Sequence, residues 1–192
     1  VYGTEAGSDA FRRTDVARAR QLLAEAGYRG EPLVLLGTTT LAPINVMTQV
    51  LARRLQDAGV NVDVQMTDFP TMLQRMHAQD RPIGQGGYHL FTYYAIGTSW
   101  FHPLMNLSLD LRCSERTWAG YPCDQQGEAL RQAFFAADEG NRRAAFEAFQ
   151  RRAWEFIPYV PAGQFDVFSA YRPGVTGVLD ATFIAYWNIE KR

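Results

Sequence analysis

The chain has 192 residues, 47% of them hydrophobic and 20% charged, and a net charge of −1. That is enough for one sizeable domain or one lobe of a larger protein. Its interspersed charges argue against the broad basic face that a phosphate backbone demands, so nucleic acid is not an expected partner. No apolar run has the length of a membrane-spanning helix, and Val1-Tyr2-Gly3-Thr4-Glu5 has neither the basic nor the apolar region of a signal peptide.

The first periodic segment is 15–26, where Val16, Ala19, Leu22, Leu23 and Ala26 share one helical stripe. Asp15 is a suitable N-cap, and Gly27 stands where a helix ends in the left-handed conformation. Leu33-Val34-Leu35-Leu36 is a continuous apolar run, as expected of a strand buried on both faces. Residues 43–58 read as a helix with Ile44, Met47, Leu51 and Leu55 inward and Pro43 in its first turn. Val60, Val62, Val64 and Met66 then alternate with polar residues as a strand. Asp68 and Pro70 start a third helix carrying Met72, Leu73 and Met76, and 88–94 is the next strand.

Strands alternating with helices imply right-handed crossovers and a largely parallel sheet. Ligands in such sheets sit beyond the carboxyl ends of the strands, which singles out the loops 37–42 and 95–103. The second half differs. Helices are expected over 124–137 and 141–157, Pro158 ends the second, and β-like runs follow at 164–170, 175–179 and 183–187. The fold class expected is α/β, with a mixed sheet flanked by helices.

Aromatics are plentiful, with 12 Phe, 9 Tyr and 4 Trp, and several stand beside Gly and Pro in loop-like segments. Rigid aromatic faces in loops line ligand pockets at low entropy cost, although they also cap cores. The loop after the 88–94 strand is the most informative, with a hydroxyl pair, Thr98 and Ser99, on a Gly turn beside Trp100 and His102. With Tyr93 and Tyr94 before it and Thr38, Thr39 and Thr40 on the neighbouring loop, it forms the expected ligand-binding face.

Catalytic and metal-binding patterns are weak. His77, His89 and His102 are widely spaced, with no His-x-x-x-His and no carboxylate cluster, so no metal is expected. His77 reads as a solvated helix residue and His89 as a satisfied sheet residue. Ser99, His102 and Asp110 could be assembled into a triad, but Ser99 is not flanked as Gly-x-Ser-x-Gly. Gly84-Gln85-Gly86-Gly87 precedes a strand instead of opening a helix, so it is no phosphate loop.

Cys113 and Cys123 stand ten residues apart around a segment of loop composition. Two unrelated buried thiols are one reading, and a metal site would need ligands the loop does not hold. Spacing and context favour a disulfide, which would contribute roughly 2–3 kcal/mol and requires an oxidising compartment outside the cytoplasm.

The order of these segments resembles a family. Residues 15–28 are similar to the "D-x-x-K/R-A-x-x-L-L-x-E-A-G-Y" helix of the family 5 extracytoplasmic solute-binding proteins of ABC importers, the dipeptide, oligopeptide and nickel type. Residues 51–64 resemble their following "L-x-x-x-G-I/V-x-V" unit, 121–130 their "G-W/Y-x-x-x-x-x-x-x-L" helix entry, and 142–159 their "R-x-x-x-x-x-x-x-Q-x-x-x-x-x-x-x-P-Y/V" helix. Pro161-Ala162-Gly163-Gln164, Gly174-Val175-Thr176-Gly177 and Trp187-Asn188 complete the series in order.

The resemblance implies a C-terminal portion of a bilobal binding protein of the periplasmic-binding-protein type II fold. Residues 1–13 would cross from the rest of the protein, 14–159 would form the ligand-binding lobe, and 160–192 would return toward the other lobe. It further implies a monomeric periplasmic protein without cofactor or catalysis, which delivers a peptide or other small polar solute to ABC permease subunits. A secreted hydrolase using Ser99 and His102 and a ligand-presenting receptor module are the rivals. One departure counts against peptide. Where peptide-binding members carry an acidic "W-x-x-D-Y-x-D-P" loop, residues 94–103 keep the Pro but place Thr98 or a neighbour at the Asp, and a neutral hydroxyl cannot replace that charge.

Overall fold

The computed structural model describes residues 4–11, 14–100, 102–103, 105–113, 122–181 and 185–192. The first helix, α1, spans Val16–Glu25, with the Asp15 side chain accepting from Arg18 N at 2.8 Å. It closes through the left-handed Gly27 (φ 76°), and Tyr28 N donates to Leu23 O. The expected inward stripe is only partly used. Val16, Ala19 and Leu23 are half-buried, whereas Leu22 and Ala26 are exposed. The helix lies at the margin of the described fold, held by Arg20 donating to Asp57 O and by Tyr28, whose hydroxyl donates to Glu31 O and accepts from Asn61 N. Its apolar stripe is therefore wider than the surface available to cover it.

Strand β1 spans Leu33–Thr38 and is the centre of a three-stranded parallel sheet, flanked by β2 (Val62–Thr67) and β3 (Leu90–Phe91). Burial on both sides explains its unbroken apolar run, with Val34, Leu35 and Leu36 at 2% exposure or less. Edge strand β2 covers its apolar set only in part, so Val64 is exposed where strict alternation predicts it inward. β3 is shorter than the seven-residue strand expected. The His89 ring takes a ladder position, its Nδ1 accepting from Val34 N at 2.9 Å, and after Thr92 N donates to Leu36 O the chain leaves the sheet.

Helix α2 spans Ala42–Asp57 and α3 Phe69–His77. The fully buried positions of α2 are Ile44, Thr48 and Ala52, a row four residues apart that includes a polar residue the periodicity did not mark as core. Thr48 is tolerated because its hydroxyl bonds Ile44 O at 2.7 Å and pairs with Thr92 Oγ1 at 2.5 Å. With Leu36, Met72 and Met76, Ile44 forms the first core. Gly37 lets α2 approach the sheet this closely. An added methyl would lie 2.7 Å from Thr48 Cγ2 and 2.8 Å from Met66 Sδ, so Gly37→Ala should lower the urea midpoint, at a cost of about 1–3 kcal/mol. An unchanged midpoint would show that the helix can withdraw freely.

The second half is a helical hairpin, α4 (Gln125–Ala136) and α5 (Glu139–Phe156), capped by Asp124 and Asp138. Leu111, Phe134, Phe146 and Phe149 make its own core. Residues 4–11 lie along α5, where Gln150 Nε2 donates to Thr4 O and Ala6 O and the Phe11 ring sits 4.3 Å from that of Trp154. Cys113 and Cys123 are bonded, with Cα atoms 4.9 Å apart; the residues between them from 114 to 121 lie outside the described ones.

Beyond Pro158, residues 160–174 are exposed and form no strand, in contrast to the run expected at 164–170. A strand needs a ladder partner, and none lies beside that run among the described residues. The two-residue strands β4 (Val175–Thr176) and β5 (Glu190–Lys191) pair antiparallel as a separate small sheet. Of the run expected at 183–187, residues 183–184 lie outside the described ones and Tyr186–Asn188 is a 3-10 turn.

Candidate ligand-binding wall

The strand order β2-β1-β3 reverses direction at β1, and β1 and β3 run parallel in register Leu35↔Leu90 and Leu36↔Phe91. Their carboxyl ends therefore open on one edge, at the switch point where ligands bind in open parallel sheets. The loop after β1 carries the three threonines. Thr38 is fully enclosed, its hydroxyl donating to Thr67 O at 2.9 Å and lying 3.1 Å from that of Thr40. Thr40 Oγ1 accepts from Phe69 N at 3.1 Å, and Thr39 N donates to Thr67 O. These side chains tie β1 to β2 and to the start of α3, with Thr39 and Thr40 at the surface.

The loop after β3 forms a belt of rings joining the two cores. Tyr93 stacks on Phe69 of α3 at 6.3 Å and on Tyr94 at 6.4 Å, and Tyr94 meets Phe165 edge-on at 5.5 Å. Gly97–Trp100 is a 3-10 turn that exposes Thr98 and leaves Ser99 half-buried. Trp100 packs edge-on against Tyr159 at 4.9 Å, and His102 stacks on Phe135 of α4 at 6.5 Å. Tyr94 and Trp100 each remain 38% exposed, so their rings are supported from behind yet open in front.

Tyr159 is the pivot of this belt. Burial pushes its phenol above the usual tyrosine value, against the pull of the Asn106 Nδ2 bond at 3.3 Å. Phe69, Tyr159 and Phe165 complete the wall although the sequence reading did not assign them to it. The signal for Tyr159 is its position between two prolines, in a chain forced out of the helix at the level of the loop. Phe165 stands in the 164–170 run, whose composition predicts a strand that does not form.

A parallel α/β sheet whose loops emerge together at a switch point offers the kind of edge at which many α/β proteins hold ligands. No family model matches the chain. In sequence it is 32% identical over 178 residues to a probable peptide ABC transporter periplasmic-binding protein, y4tO of Sinorhizobium fredii, across 92% of this chain and 33% of that protein. In fold it is similar to the dipeptide-binding protein of Pseudoalteromonas sp. SM9913 solved with Met-Leu (TM-score 0.67, 20% identity, 93% of this chain, 36% of that one). It is also similar to AgaA of A. tumefaciens R10 solved with agropinic acid (TM-score 0.69, 22% identity, 100% and 40%). The fold is thus that of part of a solute-binding protein of the dipeptide, oligopeptide and nickel type, as the collinear motifs imply. The chain spans about a third of the length of these relatives.

Proposed function

We propose that the chain is the C-terminal part of the periplasmic substrate-binding subunit of an ABC importer, which captures a small polar or peptide-like solute and delivers it to the membrane permease. The observation that carries this reading is the supported, half-exposed aromatic belt at the carboxyl ends of β1 and β3, on a fold shared with proteins that hold solutes. Residues 14–159 would be the ligand-binding lobe. The segments 1–13 and 160–192 would connect it to the rest of the protein, and the exposed Val167, Phe168, Tyr171, Tyr186 and Trp187 supply the apolar surface such a connection would cover.

The ligand face would consist of Tyr93, Tyr94, Thr98, Ser99, Trp100 and His102, with Thr39 and Thr40 at its margin and Thr38 holding that margin in place. Such a protein needs no cofactor and performs no chemistry; it works as a monomer that closes two lobes around its cargo. The test uses full-length protein purified from its own periplasm, with the retained solute identified by mass spectrometry and titrated back. Trp100→Ala and Tyr93→Ala should each weaken binding about tenfold, as loss of a central aromatic contact does. Unchanged affinity in both variants would put the site on another wall.

A further inference from the structure

The solute-binding reading leaves the chemistry of the solute open, and the charge pattern of the wall restricts it. Residues 82–109 contain no Asp, Glu, Lys or Arg, a run of 28 residues in a chain whose charged fraction is 20%. The run begins after Arg81, ends before Asp110, and contains the whole belt from Tyr93 to His102. Besides the His102 imidazole, its polar groups are of uncharged type: the phenols of Tyr93 and Tyr94, the hydroxyls of Thr98 and Ser99, and the Trp100 indole N–H. We propose, on the footing of that reading, that this wall binds a neutral polyhydroxylated ring, the ring of an uncharged sugar.

Three physical arguments lead there. An ammonium or carboxylate pressed against a wall that excludes water needs a counter-charge, and this segment supplies none. The charges beside the belt do not fill the gap. At its His102 end Arg131 lies 5.2 Å over the Phe135 ring, buried and held by Glu128 at 2.6 Å. Asp68, beside Phe69, is engaged in capping α3, accepting from Thr71 N at 3.0 Å and Thr71 Oγ1 at 2.6 Å. Asp166 follows Phe165 on the exposed connecting chain.

Aromatic rings can hold a quaternary ammonium, but they do so as a box around it. Here the rings lean on one another at 5.5–6.4 Å as one continuous surface that leaves Tyr94 and Trp100 partly open, and they do not close into a box. A purely aryl ligand would match that surface yet leave the Thr98 and Ser99 hydroxyls without partners once water is expelled, a costly outcome. A sugar satisfies both features. Its flat face stacks on Tyr94 or Trp100, and its hydroxyls exchange hydrogen bonds with neutral donors and acceptors.

The experiment is calorimetric titration of the full-length protein, stripped of retained solute, with a set of neutral mono-, di- and trisaccharides. The dipeptide Tyr-Leu, its N-acetylated form and choline serve as competitors in class. The expected result is a saccharide that binds with an affinity nearly constant from about 50 to about 500 mM salt, because no charge pair is made. Trp100→Ala should weaken that binding about tenfold. Asp166→Asn should leave it unchanged.

Binding of Tyr-Leu that falls about tenfold on N-acetylation or in Asp166→Asn would overturn the proposal, because a carboxylate would then be holding an ammonium. Choline binding, or no saccharide binding at all, overturns it equally. If Tyr-Leu or choline binds and Trp100→Ala weakens it, the solute-binding reading stands and only the ligand class falls. If no probe of any class binds, both fall together.

Discussion

Phe149→Ala in the full-length protein is expected to cost about 3–5 kcal/mol, the cost of removing an aromatic ring from a core that cannot collapse around the gap. Phe149 is fully enclosed, at 0% exposure, and its neighbours come from three separate stretches: Leu111 before the disulfide, Phe134 on α4 and Phe146 one turn earlier on α5. Those neighbours are themselves constrained. The Phe134 and Phe146 rings lie 5.2 Å apart, and Asp124 N donates to Leu111 O, which pins the chain beside Leu111. The lost ring would leave a cavity lined by groups that cannot move in. Because this core is separate from the one beneath the sheet, hydrogen exchange should rise mainly in α4 and α5 and much less in β1. Equal loss of protection in β1 would show that the two cores open as one unit. A cost below about 1 kcal/mol would show that the hairpin repacks.

The parts of the fold legible in the sequence were those whose partners lie nearby in the chain. β1 was readable because a strand covered on both faces has no polar side to keep, and Asp15 and Asp68 marked helix starts because each side chain answers a backbone N–H three residues on. The expectations that fail do so for different physical reasons. The periodicity of α1 and the alternation of β2 describe surfaces meant to be covered, and the cover is not complete within the described residues. The run at 164–170 has strand composition, but a strand exists only with a neighbour. At 88–94, a histidine ring took the place of a backbone group, which no pattern of hydrophobicity can signal.

The candidate wall was legible for a topological reason and incomplete for a geometric one. A parallel sheet obliges the loops after β1 and β3 to emerge together, so Thr38, Thr39 and Thr40 and the 93–102 loop could be named from the order of elements alone. Which rings stand behind them depends on where α5 ends and where the connecting chain passes. Tyr159 and Phe165, 65 and 71 residues beyond Tyr94, could not be placed from spacing. Cys113 and Cys123 are the intermediate case: the short loop made pairing plausible, and the bonded pair resolves the alternatives left open by composition.

Stability should fall as the pH drops below about 4, and the loss should come first from the region joining the disulfide to the α4–α5 hairpin. Three carboxylates there are held below their ordinary values. Asp124 is lowered mainly by the Arg152 guanidinium, which donates to both its oxygens at 2.7 and 2.9 Å, and also by Gly127 N. Asp110 is lowered chiefly by Arg112, which donates at 2.8 and 2.6 Å, with burial opposing. For Glu128 burial acts upward, but the paired bonds from Arg131 and that from Gln132 together outweigh it. A carboxyl depressed in the folded state is protonated first in the unfolded chain as acid is added. The unfolded state then binds more protons, and stability declines from the ordinary carboxylate value down through the folded one. The urea midpoint should therefore be level from about pH 7 to about pH 5 and fall below about pH 4. Asp124→Asn separates charge from capping, since Asn caps a helix as well as Asp does. It should lower the midpoint at pH 7, where the Arg152 pair is lost, and should make the acid decline shallower. A variant with the wild-type midpoint at pH 7 and an unchanged acid slope would show that Asp124 serves α4 as a cap alone.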